Sequence, residues 1–197
     1  YRPYKEKKNT RATLAIAAGL TPLADSLERA ELETEAFEKK AQSFVNESIK
    51  SVQEAITGAK DILAERYSDD AKEREYWRAQ LHDYASFEIK ASKTLQPDGL
   101  YAKLAGKSER IASIPSHRYL AMMRGVAEKE LSVKISYDME RVESAINRYR
   151  IPRNAKSSKN YLLEAYMDGF KRLLFPSLER EIHAIIKEKA EDRKSVV

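Results

Sequence analysis

The sequence contains no cysteine, and this absence removes three kinds of chemistry. Disulfide frameworks, thiolate zinc sites and cysteine nucleophiles are all excluded. No apolar run approaches the roughly 20 residues that span a membrane, and no secretory signal pattern is present. These features fit a reducing compartment, so we expect a cytoplasmic protein without a membrane partner.

Glycine and proline are also scarce, with six of each in 197 residues. A chain made only of β-strands would need many more tight turns, so the composition favours long helices. Hydrophobic residues make up 42% and charged residues 34%, which indicates a packed core beneath a heavily charged surface. The length is sufficient for such a core without metals or disulfides.

Apolar residues at helical spacing dominate the chain. Two stretches, 86–91 and 131–137, instead alternate apolar and polar residues, as strands do. We therefore predict a mainly α fold, a multi-helical scaffold with a minor two-stranded β ribbon. Residues 92–112, which include Pro97, Gly99 and Gly106, are expected to be irregular. We predict a single helical domain over residues 1–197, with the basic loop 150–160 as the only candidate internal linker.

The net charge of +5 is distributed unevenly. Residues 147–160 carry no acid, and their basic residues are Arg148, Arg150, Arg153, Lys156 and Lys159. Residues 1–13 carry one acid, and their basic residues are Arg2, Lys5, Lys7, Lys8 and Arg11. Both sets are candidate contacts to nucleic-acid phosphates. The alternatives are a plain solvated surface, or docking of an acidic protein or of the acidic segment 25–38.

Catalytic, metal and cofactor motifs are missing. The three histidines, His82, His117 and His183, lack the spacing of a zinc site. Gly106-Lys107-Ser108 is similar to the end of a phosphate-binding loop, but residue 101, where that loop requires glycine, is a tyrosine. We expect no metal, no cofactor and no enzymatic activity. A hydrolase site built from distant carboxylates is the open alternative.

One further candidate site lies at the start of the helix expected from Pro115. There, His117 and Arg118 occupy a first helical turn, whose free backbone N–H groups favour an anion. The alternative interpretation is that Ser116 and His117 cap the helix and that Arg118 pairs with an acid.

Several blocks, in the same order along the chain, are similar to Tex-type transcription accessory proteins. The blocks are YRPYKEKKNTRAT (1–13), GAKDILAE (58–65), IPSHR (114–118), DGFKRLL (168–174) and PSLEREI (176–182). The resemblance implies an internal helical segment of a longer bacterial protein. In that family the segment precedes a ribonuclease H-like domain, helix-hairpin-helix motifs and a C-terminal OB-fold domain that binds RNA. The family's aromatic, acidic Asp-Tyr-Phe stretch has no match at residues 101–110.

The resemblance and the charge pattern together give an expected function. The segment would position neighbouring domains and add non-specific contacts to RNA or DNA. The main nucleic-acid-binding domain of the longer protein, the OB fold, would lie outside this chain. It could also contact the transcription machinery. The alternative is a protein-interaction module that docks on the transcription or translation machinery.

Overall fold

The computed structural model describes the backbone of residues 9–196 and the side chains of residues 9–194, and it confirms a mainly α fold. The helices are α1 (Arg11–Ala17), α2 (Thr21–Arg29), α3 (Thr34–Gln42), α4 (Val52–Asp69), α5 (Ala71–Tyr84), α6 (Ser116–Ala127), α7 (Met139–Tyr149), α8 (Lys159–Asp168) and α9 (Phe175–Val196). The strands are β1 (Ser86–Ala91), β2 (Ser108–Arg110) and β3 (Leu131–Ser136). A π-helical turn, Gly169–Leu174, joins α8 to α9. In the described part of the chain, no helix combines the length and the apolar composition needed to cross a bilayer.

The small sheet confirms the pairing of the two predicted stretches and adds a strand to them. β1 pairs antiparallel with β3, with Phe87 opposite Ile135. β1 also pairs antiparallel with β2, so the strand order is β2-β1-β3. The sheet therefore has one strand more than predicted, because the three residues of β2 are too few to show an alternating pattern.

The chain divides into two compact units, each built from two separate stretches. The first unit comprises Tyr1–Asp70 and Glu140–Phe175, and the second comprises Ala71–Met139 and Pro176–Val197. The loop 150–160 lies inside the first unit. The single domain that the sequence predicts stays a prediction.

Helix α4 forms the centre of the first unit. Ser51 caps its start, since the Ser51 hydroxyl accepts a hydrogen bond from the backbone N–H of Glu54. Helices α1, α2, α3 and α8 and the π-helical turn all contact α4. The turn packs closely: a Cβ atom added to Gly169 would lie 2.6 Å from the backbone oxygen of Ala64. Glycine at position 169 thus allows two backbones to approach.

The core of the second unit is aromatic. Trp77, Phe87 and Tyr119 are each almost completely buried. The Tyr119 hydroxyl lies 2.9 Å from Nδ1 of His183, and the His183 ring packs 5.1 Å from that of Phe87. Burial lowers the pKa of His183 and raises the pKa of Tyr119 to about 12. His183 is therefore part of a packed aromatic core.

Candidate nucleic-acid interface

The basic loop 150–160 is held against the acidic segment of the same unit through its backbone. The N–H of Lys156 donates to the backbone oxygen of Ala30 at 2.8 Å, and the N–H of Ser157 donates to Oε2 of Glu33 at 2.9 Å. The Ser157 hydroxyl accepts from the N–H of Thr34, the first residue of α3, at 2.7 Å. These bonds fix the path of the loop, and none of them uses a cationic side chain.

Electrostatics strengthens this attachment. The hydrogen bonds from Ser157, assisted by the nearby charge of Lys156, lower the pKa of Glu33. Further along, the Tyr161 hydroxyl donates to Oε1 of Glu38 at 2.6 Å, and this bond raises the pKa of Tyr161 to about 12. Docking of the loop on the acidic segment was one of the alternatives left open by the sequence, and the structure contains it.

Arg150 differs from the other basic residues of the stretch. Its Nη1 atom lies 3.0 Å from Oδ2 of Asp70, and only a quarter of its side chain is exposed. The guanidinium carbon lies 5.3 Å from the ring centres of both Tyr67 and Tyr166, which are buried. Arg150 therefore makes an ion pair and two cation–π contacts within the fold.

The four remaining basic side chains are exposed, and we call them the basic patch: Arg148, Arg153, Lys156 and Lys159. Among the described residues, none of the four side chains forms a hydrogen bond or an ion pair. Arg148 instead lies over the ring of Tyr149, 5.4 Å from its centre. The Tyr149 side chain is 65% exposed. An exposed ring next to a cation is an arrangement that favours base stacking on single strands.

The N-terminal basic residues are only partly covered by the structure. Arg2, Lys5, Lys7 and Lys8 lie outside the described residues. Arg11 is the first residue of α1 and is exposed. Burial raises the pKa of Asp61, and the nearby positive charge of Arg11 partly offsets this increase. That carboxylate also lies 3.9 Å from Nη2 of Arg172. Arg11 thus has an acidic neighbour, as Lys156 has in Glu33.

The candidate anion site at His117 and Arg118 begins α6 in the second unit. Pro115 occupies the cap position, and no side chain caps this helix. His117 is exposed. Nη1 of Arg118 lies 2.7 Å from Oε1 of Glu109, as the alternative interpretation for Arg118 stated. Of the pair, His117 keeps its side chain available to an anion.

The sequence did not reveal the residues that fix the basic loop. Glu33 and Ser157 meet across 124 positions of the chain, and Arg150 meets Asp70 across 80. No local pattern marks such pairs. The described residues hold no group of three or more His, Asp or Glu side chains that could bind a metal ion.

Comparison with known proteins now adds to this geometry. Residues 33–197 match the family model described as Tex central region-like. The chain belongs to this family.

Its relatives in this family are much longer than the chain. It is 33% identical to the YdcI protein of Bacillus subtilis, and the matched region covers 98% of this chain and 27% of that protein. It is 34% identical to the transcriptional accessory protein Tex of Neisseria gonorrhoeae and 32% identical to the YhgF protein of Escherichia coli. Each of these two matches covers 70% of this chain and 18% of the relative. The Tex resemblance of the sequence blocks is therefore confirmed.

Proposed function

We propose that this Tex central region-like chain is a helical scaffold segment of a cytoplasmic transcription accessory protein, and that its basic patch adds sequence-independent contacts to nucleic acid. The Neisseria gonorrhoeae relative is named a transcriptional accessory protein, and this supports the transcription role. The observation that carries the nucleic-acid contact is the set of four exposed cations, which form no ion pair within the described part of the chain, together with the exposed ring of Tyr149 under Arg148. The segment has no catalytic role in this proposal.

The proposed scaffold role is supported by the contacts that hold the loop of the basic patch against the rest of the first unit. The loop backbone donates to Ala30 and Glu33, and the Ser157 hydroxyl accepts from the N–H of Thr34. Arg150 is enclosed by Asp70 and two tyrosines. A rigid mounting lowers the entropy lost when the side chains of the patch meet a ligand. The main nucleic-acid-binding domain, an OB fold, and the ribonuclease H-like domain would lie elsewhere in the longer protein.

The contact itself would be electrostatic. Each phosphate that a lysine or arginine neutralises releases counterions, so affinity falls with salt by about 0.7 in logarithmic slope per contact for a single strand. Four contacts therefore give a slope near 2.8 from the basic patch alone. Tyr149 would add base stacking without sequence preference. The expected partner is RNA or DNA of any sequence.

The test is a fluorescence-anisotropy titration of labelled single-stranded DNA and RNA across salt concentrations. The patch variant replaces Arg148, Arg153, Lys156 and Lys159 by glutamine. The control variant removes the same charge from four exposed lysines of the same unit, Lys39, Lys40, Lys50 and Lys171. The patch variant should lose about 2.8 of the slope and the control variant little. No binding by the wild-type chain at low salt would contradict the proposal.

The alternative function, docking on transcription or translation machinery, has one supporting observation. In the second unit, α5 and α9 border an open groove of about 440 Å³ that contains Ile182, Ile185 and Ile186. Ile185 is 51% exposed, so its side chain can give apolar contact area to a docked partner. The alternative predicts that the chain binds purified RNA polymerase or ribosomes after nuclease treatment, and that Ile185→Lys abolishes this binding.

A further inference from the structure

The second unit carries an open cleft with a volume of about 770 Å³. It lies between the start of α6 and the last turns of α9. Among the side chains that line it are His117, Leu120 and Arg124 from α6, and Ala190, Arg193 and Lys194 from α9. The cleft thus brings Arg124 of α6 close to Arg193 and Lys194 of α9, although at least 69 positions of sequence separate the residues of the two helices.

The cations of the cleft are not compensated within the part of the chain that the structure describes. Arg124, Arg193 and Lys194 are exposed, and their side chains form no ion pair or hydrogen bond there. None of the described residues that line the cleft is an aspartate or a glutamate. Elsewhere in this unit, Arg74 and Arg78 both pair with Glu181 at 2.8 Å. The cleft therefore concentrates positive charge that a bound anion would neutralise.

Two other features of the cleft narrow the class of anion. Leu120 and Ala190 give the lining an apolar portion, which an inorganic ion would leave uncovered. At the start of α6, His117 can donate from its ring, and no side chain caps the backbone N–H groups of the first turn. A ligand with several phosphates and apolar sugar or base surface satisfies all of these groups. A single nucleic-acid strand has this chemistry, since its bases are free to pack on apolar side chains.

We propose that this cleft binds the phosphate backbone of single-stranded RNA or DNA, as a second contact surface separate from the basic patch. It relies on the proposed function only for the class of partner, because none of its lining residues belongs to the patch. Arg124, Arg193 and Lys194 contact phosphates, and Leu120 packs against the sugar or base between them.

The test uses the complete chain and a labelled single strand of mixed sequence, about 12 nucleotides long. The cleft variant carries Arg124→Gln, Arg193→Gln and Lys194→Gln. The control variant carries Lys90→Gln, Lys93→Gln and Lys107→Gln, which removes three exposed charges from the same unit. Three lost contacts at about 0.7 each lower the salt slope by about 2. The affinity of the wild type relative to the cleft variant should therefore be roughly a hundredfold higher at 0.1 M salt than at 1 M salt. The control variant keeps the wild-type slope.

Equal slopes for the cleft variant and the control variant would overturn the proposal. Binding of ATP that the cleft variant loses, with unchanged affinity for the oligonucleotide, would also overturn it and assign the cleft to a free nucleotide. If circular dichroism shows that the triple variant is misfolded, the double variant Arg193→Gln/Lys194→Gln serves instead, with an expected slope decrease of about 1.4. A failure of the proposed contact at the basic patch is a separate result, because it is measured as an unchanged salt slope of the patch variant and not of the cleft variant.

Discussion

Replacing Arg150 by glutamine separates the basic residue that serves the fold from those that are proposed to contact nucleic acid. Arg150 pairs with Asp70 at 3.0 Å, and the two side chains are 25% and 34% exposed. A partly exposed ion pair of this kind contributes about 1 kcal/mol. Each of the two ring contacts, with Tyr67 and Tyr166 at 5.3 Å, contributes about 0.5–1 kcal/mol.

The expected loss in the free energy of unfolding is therefore about 2–3 kcal/mol, which lowers Tm by about 4–12 °C in a chain of this size. Urea denaturation followed by circular dichroism measures the first quantity, and a thermal melt measures the second. The matched variant is Arg148→Gln, because Arg148 is exposed and makes a single ring contact. Its free energy of unfolding should fall by no more than about 0.5–1 kcal/mol, the contribution of one exposed ring contact.

Binding should show the opposite order. Arg148→Gln should lower the salt slope by about 0.7, whereas Arg150→Gln should leave it unchanged at temperatures where the variant is folded. An Arg150→Gln variant that is as stable as the wild type and has a lower salt slope would refute the structural role assigned to Arg150.

Two further predictions concern the two cores. Gly169→Ala should lower the free energy of unfolding by about 1–3 kcal/mol, because the new methyl group would lie 2.6 Å from the backbone oxygen of Ala64; a fully stable variant in urea denaturation would contradict that packing. Burial lowers the pKa of His183 below 6.5, so the unfolded chain binds a proton more readily than the folded chain. The contribution of His183 to stability is complete above about pH 6.5 and is lost as pH falls from there through the lower folded pKa. Unfolding at pH 7.5 and 5.5 measures this loss, and His183→Gln should reduce it; an unchanged pH dependence in that variant would count against the buried imidazole.

Local patterns were sufficient to predict much of the fold. Alternating residues identified β1 and β3. Ser51 and Glu54, at the start of α4, have the spacing of a capping box, which is also a local pattern. Pro176 is the second residue of α9, which starts at Phe175, and proline is common in a first helical turn. The π-helical turn that precedes α9 was not predicted. A proline shows that one helical hydrogen bond is lost, but it does not show how the helix geometry adjusts around it.

Only part of the candidate site could be predicted from the sequence. The charge of residues 147–160 was evident, but not that Arg150 would turn towards Asp70 while its neighbours stay exposed. That difference depends on Tyr67 and Tyr166, which reach Arg150 only through the packing of α4 and α8. The cleft beside α6 is similar, since its cations come from helices that are distant in the chain. Exposure and long-range pairing are properties of the fold, and no short pattern encodes them.

The most direct test of the proposed role is the difference in salt slope between the patch variant and its charge-matched control on the same single strand. Both variants lose four positive charges from the first unit, so a general effect of net charge would lower both slopes equally. The proposal predicts that the patch variant has a slope lower by about 2.8 than that of the control. Equal slopes would contradict a nucleic-acid contact at Arg148, Arg153, Lys156 and Lys159.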